Sequence, residues 1–308
     1  MSGQMSLFPL EDLSEEKDPV QKMEVNALDE MFAASRRYRS SIEYMELLRF
    51  ISCFPNYSTF NCFLLHIQDP SISYVATAGK WRKHFKRHLK PDARPLVILA
   101  PMSPVRFVFD FKDTEGEPIP PALLRPFDTT ERIQRDIFDK TLHNCAVHGI
   151  AVRDVDLAHT DAGGAIPLTY NIRKQFRNLD LESQMKYLVL LEKGDTLETK
   201  YASLVSELGH IFCGHLGIDE KAWWPDRRAT HQALAEIEAE SVAFLVCRRK
   251  GLFKKAEKYL AAYSRQDKEM PVFGLNAVIS SIQYIEEMGK SRWKRPKKKS
   301  RYLGEKSP

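Results

Sequence analysis

The sequence LVSELGHIFCGHLG, residues 204–217, is an apolar segment that carries Glu207 and His210 three residues apart. This is the spacing of the helical pattern H-E-x-x-H, in which two histidines one turn apart bind zinc and the glutamate acts on the metal-bound water. Ser206 stands where the first histidine would be. The segment is therefore a metalloprotease helix, the remnant of one that has lost its metal, or an ordinary buried helix.

A third zinc ligand in such a site usually comes from a glutamate on a later helix. The segment AEIEAESVAFL offers Glu236, Glu238 and Glu240. Glu236 and Glu240 are four residues apart and share a helix face, whereas Glu238 points elsewhere. Carboxylates on an otherwise apolar helix need partners if they are buried, and a metal is one such partner. Spacing alone leaves open the alternative that His210 is a hydrogen-bonded histidine of the core.

The window SLVSELGHIFCGHLG, followed after a WWPDRR loop by EIEAESVAFLVCRR, resembles the ImmA/IrrE-type zinc peptidase family. Members of that family carry H-E-L-x-H-x-x-x-G-H and later E-x-E-A-E-S-V-A, and the similarity covers roughly residues 185–250. By this resemblance His210 is a zinc ligand, Glu207 the general base and Glu236 the third ligand. Zinc is the implied cofactor, and a protein or peptide is the implied substrate.

Ser206 departs from the family pattern at its first ligand. Catalytic zinc normally has three protein ligands and a water, so the loss of one imidazole is expected to weaken zinc binding by orders of magnitude. The family's Gly-His pair is retained as Gly214 and His215. His215 lies five residues after His210, a spacing poorly matched to one helix face, so we expect it to close the helix rather than to replace the missing ligand.

Composition indicates a globular protein without membrane spans or a disulfide framework. The chain has 308 residues, of which 43% are hydrophobic and 28% charged, as is typical of soluble globular proteins. No apolar run approaches the roughly 20 residues that cross a bilayer, and the N-terminus does not resemble a secretory signal, so we expect a cytoplasmic protein without a membrane partner. The five cysteines form no C-x-x-C pair, which argues against a disulfide framework and a cysteine-rich zinc ribbon.

Hydrophobic periodicity predicts helices mixed with strands. Helical spacing predicts one or two helices between Val20 and Phe54, with Ser58 as N-cap of the next, and a further helix over AGKWRKHFKRHLK. The segments PLVILAPM, VRFVFDF and KYLVLLEKG predict strands, and a helix capped near Thr129 leads through Gly149 into another. The last third is mostly helical.

We therefore expect an α+β fold of two domains, divided in the proline-rich segment EGEPIPPALLRPFD. The net charge of +5 conceals an acidic N-terminus and an almost purely basic GKSRWKRPKKKSR near the C-terminus, which we expect to be a solvated tail. The expected parts are a disordered segment 1–20, an N-terminal domain of helices and strands 21–120, a zincin-like domain 121–289 and the basic tail 290–308.

The N-terminal half carries a second resemblance. Residues 55–102, PNYSTFNCFLLHIQDPSISYVATAGKWRKHFKRHLKPDARPLVILAPM, resemble the single-stranded-DNA-binding domain of ArdC-type antirestriction proteins. In that family an N-x-S-x-x-N-like segment precedes a Trp-containing basic helix and an apolar strand that ends in Ala-Pro. The resemblance implies single-stranded DNA as a partner. The residues assigned to nucleic-acid binding, the first two by resemblance alone, are Tyr57, Asn61, Trp81, Arg82, Lys83, Lys86 and Arg87.

Physical chemistry supports this assignment only in part. Single-strand binding requires cations along the backbone and aromatic faces for the bases. However, Trp81, Phe85 and Leu89 recur at four-residue spacing, which favours a buried stripe that supports a basic outer face. A solvated charge run explains the same cations equally well.

The combined prediction is a zinc-metallopeptidase-like protein with a single-stranded-DNA-binding domain, associated with antirestriction on mobile elements. The alternative is an inactive pseudo-peptidase that acts as a DNA- or protein-binding module, because Ser206 replaces the first histidine of the motif.

Overall fold

The structure is a computed structural model that describes residues 40–100, 103–120, 131–156, 164–217, 223–256, 258–261 and 269–294. Helices and small sheets are mixed along the chain, which confirms the predicted α+β class. The expected disordered segment 1–20, the cap near Thr129 and most of the basic tail lie outside the described residues. Within those residues, no helix combines the length and apolar character that crossing a bilayer requires.

The elements follow the predicted pattern, with Ser58 confirmed as a helix cap whose hydroxyl accepts a hydrogen bond from the Asn61 backbone. The helices are α1 (Ser41–Ser52), α2 (Thr59–Gln68), α3 (Ala78–Phe85), α4 (Arg135–Val147), α5 (Tyr170–Gln175), α6 (Leu197–Phe212), α7 (Gln232–Arg249), α8 (Phe253–Ala256) and α9 (Leu275–Met288). The strands are β1 (Val75–Ala76), β2 (Arg87–Leu89), β3 (Leu96–Ala100), β4 (Ser103–Asp110), β5 (Thr114–Gly116), β6 (Ile150–Val155), β7 (Gly164–Pro167) and β8 (Tyr187–Glu192).

The described residues divide into two compact units, each built from segments that are distant in sequence. The first unit joins residues 40–133 and 195–286, and the second joins 134–194 and 287–294. The first contains an antiparallel sheet of order β1-β4-β3 and the antiparallel pair β2-β5. In the second, β8 pairs in parallel with β6 and antiparallel with β7. The linear division expected at residue 120 stays a prediction.

The second unit is held together by an apolar core and by one buried amide. The core cluster includes Phe176, Met185 and Leu188. Asn144 on α4 donates hydrogen bonds to the carbonyls of Met288 and Ser291, 2.8 and 2.7 Å away. These bonds attach the C-terminal segment 287–294 to the rest of the unit.

Helix α3 is shorter than the sequence predicts. It ends at Phe85 because Lys86 takes a left-handed conformation, with φ +51°, and the chain continues as strand β2. The Arg87 guanidinium is buried and donates to the Thr114 hydroxyl at 2.8 Å and to the Thr114 carbonyl at 2.7 Å. Pairing between β2 and β5 thus overrides the helical periodicity of this basic segment.

Strand β3 lies at an edge of its sheet, and two side chains of α2 satisfy its outer backbone groups. The Asn61 amide accepts from the Leu99 N–H at 2.9 Å and donates to the Leu99 carbonyl at 3.0 Å. Gln68 makes the same pair of bonds with Val97, both 2.8 Å long. Asn61 and Gln68 lie two helical turns apart on one face of α2, and Val97 and Leu99, as alternate residues of β3, turn their backbone groups to the same side of the strand.

Helices α6 and α7 pack closely in the first unit. At the contact, a Cβ added to Gly209 would lie 3.1 Å from the Ala239 Cα, so the absence of a side chain permits this approach. The Thr196 hydroxyl caps the start of α6 by accepting from the Thr199 N–H. Most of α7 is buried, including Val242, Phe244 and other apolar residues. This contact brings the end of α6 beside the beginning of α7.

Candidate metal centre and nucleic-acid surface

The structure brings the predicted metal ligands His210 and Glu236 together. His210 lies in the last turn of α6 and Glu236 in the first turns of α7. The His210 Nε2 is 3.6 Å from a Glu236 carboxylate oxygen, and the two side chains are 19% and 52% exposed. Two ligands at zinc distances of about 2.0–2.1 Å in tetrahedral geometry are about 3.3–3.4 Å apart. The pair therefore fits one shared cation with little movement.

Glu207 and Ser206 lie one turn before His210, where both are half-buried. Ser206 forms a side-chain hydrogen bond with Tyr259, whose hydroxyl also donates to the Ala202 carbonyl at 2.8 Å. The pKa of Tyr259 is raised mainly by burial and further by the charge of Glu207, which indicates that this carboxylate lies nearby. Ser206 therefore has a partner within the protein.

The three glutamates of α7 have different surroundings. Glu236 has a carboxylate oxygen within ion-pair distance of His210, whereas Glu240 accepts a hydrogen bond from the Leu260 N–H at 3.0 Å. Glu238 is fully buried and takes no part in the predicted ligand set. Of the two carboxylates predicted to share a face, Glu236 is thus the one beside His210.

His215 is closer to the site than helical spacing suggests. Its N–H bonds to the His210 carbonyl at 3.0 Å, so it closes the helix as expected. Gly214, however, has φ +85°, and a Cβ at that position would lie 1.9 Å from the Pro225 carbonyl oxygen. This left-handed residue turns the chain so that the Nδ1 atoms of His215 and His210 are 3.2 Å apart. A glycine directly after an apolar helix was the sequence signal for such a turn.

Glu238 anchors a buried polar cluster next to this pair of histidines. It receives hydrogen bonds from both terminal nitrogens of Arg227, from the Gly274 N–H at 2.8 Å and from the His215 Nε2 at 2.9 Å. Burial acts to raise the pKa of Glu238, but the bonds from His215 and Arg227 outweigh it and hold the pKa below its ordinary value. Glu238 is therefore a charged acceptor. Sequence reasoning missed both Glu238 and Arg227 as contributors to the site.

Cys213 also lies beside this cluster. Its sulfur and ligand atoms of His215 and Glu238 are within 4.8 Å of one another. A cation is poorly suited to this place, because the Arg227 guanidinium already occupies both Glu238 oxygens. In addition, burial raises the pKa of the Cys213 thiol to about 12, whereas metals bind the thiolate. The cluster therefore does not have the make-up of a cation site, and it contacts His210 through His215.

Burial favours the neutral form of His210. Burial lowers the pKa of its imidazole below the ordinary value, against the opposing effect of Glu236, and His215 adds to the lowering. A neutral imidazole has one nitrogen lone pair and can act as a metal ligand.

The predicted nucleic-acid residues fall into two groups. Side chains with bonds inside the protein include Trp81, which is 0% exposed and donates to the Phe109 carbonyl, and Tyr57, which donates to the Val75 carbonyl. The amide of Asn61 and the guanidinium of Arg87 are likewise bound to backbone groups, as described above. The side chains that face solvent are Arg82, Lys83 and Lys86.

No protein-family model and no curated protein matches the chain. Among solved structures, the chain is similar to the metal-free crystal structure of the antirestriction ArdC protein from plasmid R388. The identity is 13% and the TM-score 0.38, with 84% of this chain and 100% of that chain covered. At that TM-score the similarity does not establish a shared fold.

Proposed function

We propose that the chain is a metallopeptidase-like protein in which His210 and Glu236 hold a divalent cation and Glu207 is the general base. The observation that carries this proposal is the 3.6 Å approach of the His210 Nε2 to the Glu236 carboxylate, on two helices packed against each other. The neutral imidazole and the carboxylate are ligand types that zinc prefers.

Each residue would have a separate role in peptide hydrolysis. A bound zinc ion would supply Lewis acidity for the scissile carbonyl and would acidify water. Glu207, one turn before His210, would accept the proton of the attacking water and then pass it to the leaving amine. His210 and Glu236 would orient the cation between α6 and α7.

The second candidate function is a pseudo-peptidase that binds a partner without cleaving it, and Ser206 favours it. Hydrolytic zinc usually has three protein ligands, and this chain supplies two through His210 and Glu236. The hydrogen bond between Ser206 and Tyr259 supports this candidate further, because it directs the serine to a neighbour. In that case the surface over α6 and α7 serves as a binding platform.

Zinc binding tests the first proposal directly. We expect wild-type protein to take up zinc in a titration, and the His210→Ala and Glu236→Ala variants to bind it at least about 100-fold more weakly, because loss of a direct ligand should cost no less than the roughly 10–100-fold that loss of an outer-shell partner costs. Glu198→Ala, which removes a carboxylate from the first turn of α6, is the matched control and should bind like wild type. Isothermal titration calorimetry gives the affinities.

The outcomes separate the two candidates. Absence of zinc binding by the wild type would refute the metal centre and leave the pseudo-peptidase, because two protein ligands are then too few to hold the ion. Zinc binding together with casein cleavage that Glu207→Gln abolishes supports the peptidase. Zinc binding without cleavage also supports the pseudo-peptidase, because the protein then binds the metal but does not hydrolyse a peptide.

We also propose that the first unit binds single-stranded DNA, in keeping with a role in antirestriction. The support is the solvent-facing set Arg82, Lys83 and Lys86 around α3. Since Trp81 is buried, we assign the role of aromatic platform to Phe107 on β4, which is 54% exposed. Stacking of a base on such a ring is worth about 1–3 kcal/mol.

This second proposal predicts a salt-dependent interaction. Replacing Arg82, Lys83 and Lys86 by alanine should weaken binding to a single-stranded oligonucleotide. It should also reduce the slope of log affinity against log salt by about 0.7 for each lost phosphate contact. Fluorescence anisotropy at several salt concentrations measures both quantities.

A charge-matched control separates specific contacts from net charge. Alanine at Arg135, Lys174 and Arg177 removes three exposed cations from the second unit, and this variant should bind DNA almost as wild type does. An equal loss of DNA affinity in the two variants would mean that the interaction depends only on net charge. Unchanged affinity in the first variant would show that Arg82, Lys83 and Lys86 do not contact DNA.

A further inference from the structure

One face of the β1-β4-β3 sheet is apolar and only partly covered. The side chains of β4 that point to this face, away from the buried core, are Val105, Phe107 and Phe109. Helix α3 covers the face at Phe109, which packs against the buried Trp81. Val105 and Phe107 lie beyond this contact and are 41% and 54% exposed. An apolar strip of the sheet is therefore open to solvent beside α3.

A cavity of about 540 Å³ lies where the cover of α3 ends. Its volume is within the range of about 300–1,000 Å³ that is usual for pockets that bind small molecules. The residues that line it are Thr77, Ala78 and Gly79 at the start of α3, Pro95 before β3, and Phe107 and Phe109 on β4. A Cβ added to Gly79 would meet no atom within 4 Å, so there is open space beside this residue. The cavity is thus an apolar site with an exposed aromatic ring in its wall.

The segment that forms the cavity is strongly basic. Residues 70–109 contain one acidic residue, Asp92, and eight cationic ones, which are Lys80, Arg82, Lys83, Lys86, Arg87, Lys90, Arg94 and Arg106. Arg82 and Lys83 follow Gly79 by three and four residues in α3, so they lie on the same side of the helix, one turn of about 5.4 Å from the cavity. A ligand with an apolar ring and a negative charge close to it matches both features.

This combination favours a single strand of nucleic acid over other occupants. A second copy of the chain would bring the same excess of positive charge against this face, and like charges across an interface oppose association. A purely apolar partner would not use the cations. A single strand offers a flat base and a phosphate in every nucleotide, and its bases stack on aromatic side chains.

We propose that this cavity receives one base of a bound single strand, which stacks on Phe107, while a neighbouring phosphate contacts Arg82 and Lys83. The inference rests on the proposed single-stranded-DNA binding and goes beyond it, because affinity then depends on a base as well as on charge. Gly79 is a positioning residue of this site, since the absence of its side chain leaves space for the base.

Filling the cavity tests this inference without removing a contact of the fold. Leucine favours a helix more than glycine does, and in Gly79→Leu the side chain would occupy space that is open in the wild type. Affinity for labelled oligothymidylate should fall about 5–150-fold, the range expected for loss of one stacked base, with the salt slope unchanged. His84→Leu adds the same side chain at an exposed position of α3 outside the cavity and should bind like wild type. Fluorescence anisotropy measures these affinities.

The aromatic wall is tested separately. Phe107→Ala should weaken strand binding by a factor in the same range, and Phe107→Trp should bind like wild type because an indole also stacks on bases. Val272→Ala shortens another exposed apolar side chain of the first unit and is the matched control. A strand of equal length without bases should bind wild type and Gly79→Leu equally. If Gly79→Leu and Phe107→Ala both bind oligothymidylate as the wild type does, the inference is wrong.

Failure of this inference is distinguishable from failure of the DNA-binding proposal. Saturation-transfer NMR with the dinucleotide TpT examines the cavity without a longer strand. If wild type binds no strand but transfers saturation to TpT, and Gly79→Leu does not, the base site stands and the DNA-binding proposal falls. If strand binding depends on Arg82, Lys83 and Lys86 but not on Gly79 or Phe107, the DNA-binding proposal stands and the base site falls. Absence of both signals refutes both. Self-association of the wild type that Phe107→Ala abolishes, measured by sedimentation without DNA, would make this face an interface between copies and overturn the inference.

Discussion

Replacing Ser206 by histidine is expected to raise zinc affinity by on the order of 100-fold or more, since it restores a three-ligand set. The new imidazole would lie on α6 four residues before His210, one helical turn away on the same face. The substitution also removes the hydrogen bond between Ser206 and Tyr259, a loss of about 1 kcal/mol that the metal offsets. Calorimetric titration with zinc chloride measures the change.

Two further variants control this experiment. Ser206→Leu introduces a side chain of similar bulk without a ligand and should leave zinc affinity unchanged. Ser206→His combined with Glu207→Gln should bind zinc as tightly as the single variant but should not cleave casein, because the general base is absent. If Ser206→His binds zinc no better than the wild type, α6 does not present position 206 to the His210–Glu236 pair.

Replacing Arg227 by methionine is expected to cost about 3–5 kcal/mol in the free energy of unfolding at pH 7, the usual cost of breaking a buried ion pair on one side. Glu238 would keep its bonds from His215 and from the Gly274 N–H but would lose two bonds from a full positive charge. Urea denaturation monitored by circular dichroism measures the difference. Adding Glu238→Gln to Arg227→Met should recover most of the loss, because the unpaired buried charge is then absent.

This loss should depend on pH with a definite sign. The folded-state pKa of Glu238 lies below its ordinary value of 4.5, so its stabilising contribution is complete above that pH and disappears as the pH falls through the folded-state value. Groups that act on Glu238 include Arg227, His215 and Gly274 as donors, with Tyr44 and Cys213 close by. The stability difference between wild type and Arg227→Met should therefore shrink below pH 4.5. A difference that grows on acidification would contradict this assignment.

Local signals in the sequence predicted most elements of the fold. Ser58 could be recognised as a cap, and the branched and aromatic runs of β3, β4 and β8 as strands, because these signals depend on neighbours in sequence. The exception was the basic segment after Phe85, where helical periodicity continued but the chain forms β2. The cause is the partner strand β5 and the buried bonds of Arg87, which no local pattern contains.

As with the fold, the sequence predicted part of the candidate site. Motif spacing pointed to His210 and the family resemblance to Glu236, and the structure brings these two side chains to 3.6 Å of each other. A helical projection excluded His215 because it assumed regular geometry beyond the end of α6, whereas Gly214 is left-handed. Glu238 was set aside for facing away from the other glutamates, and its burial against Arg227 depends on the path of the loop just before α7, which a helical projection does not contain.

The amides of Asn61 and Gln68 have a consequence for behaviour in solution. An outer strand with unpaired N–H and C=O groups is a template on which a second polypeptide can add. The two amides bind the outer N–H and C=O groups of Val97 and Leu99, so these groups of the edge strand are not available to another strand. They thereby disfavour intermolecular strand pairing at this edge, and two polar side chains have this effect where other proteins use a further strand.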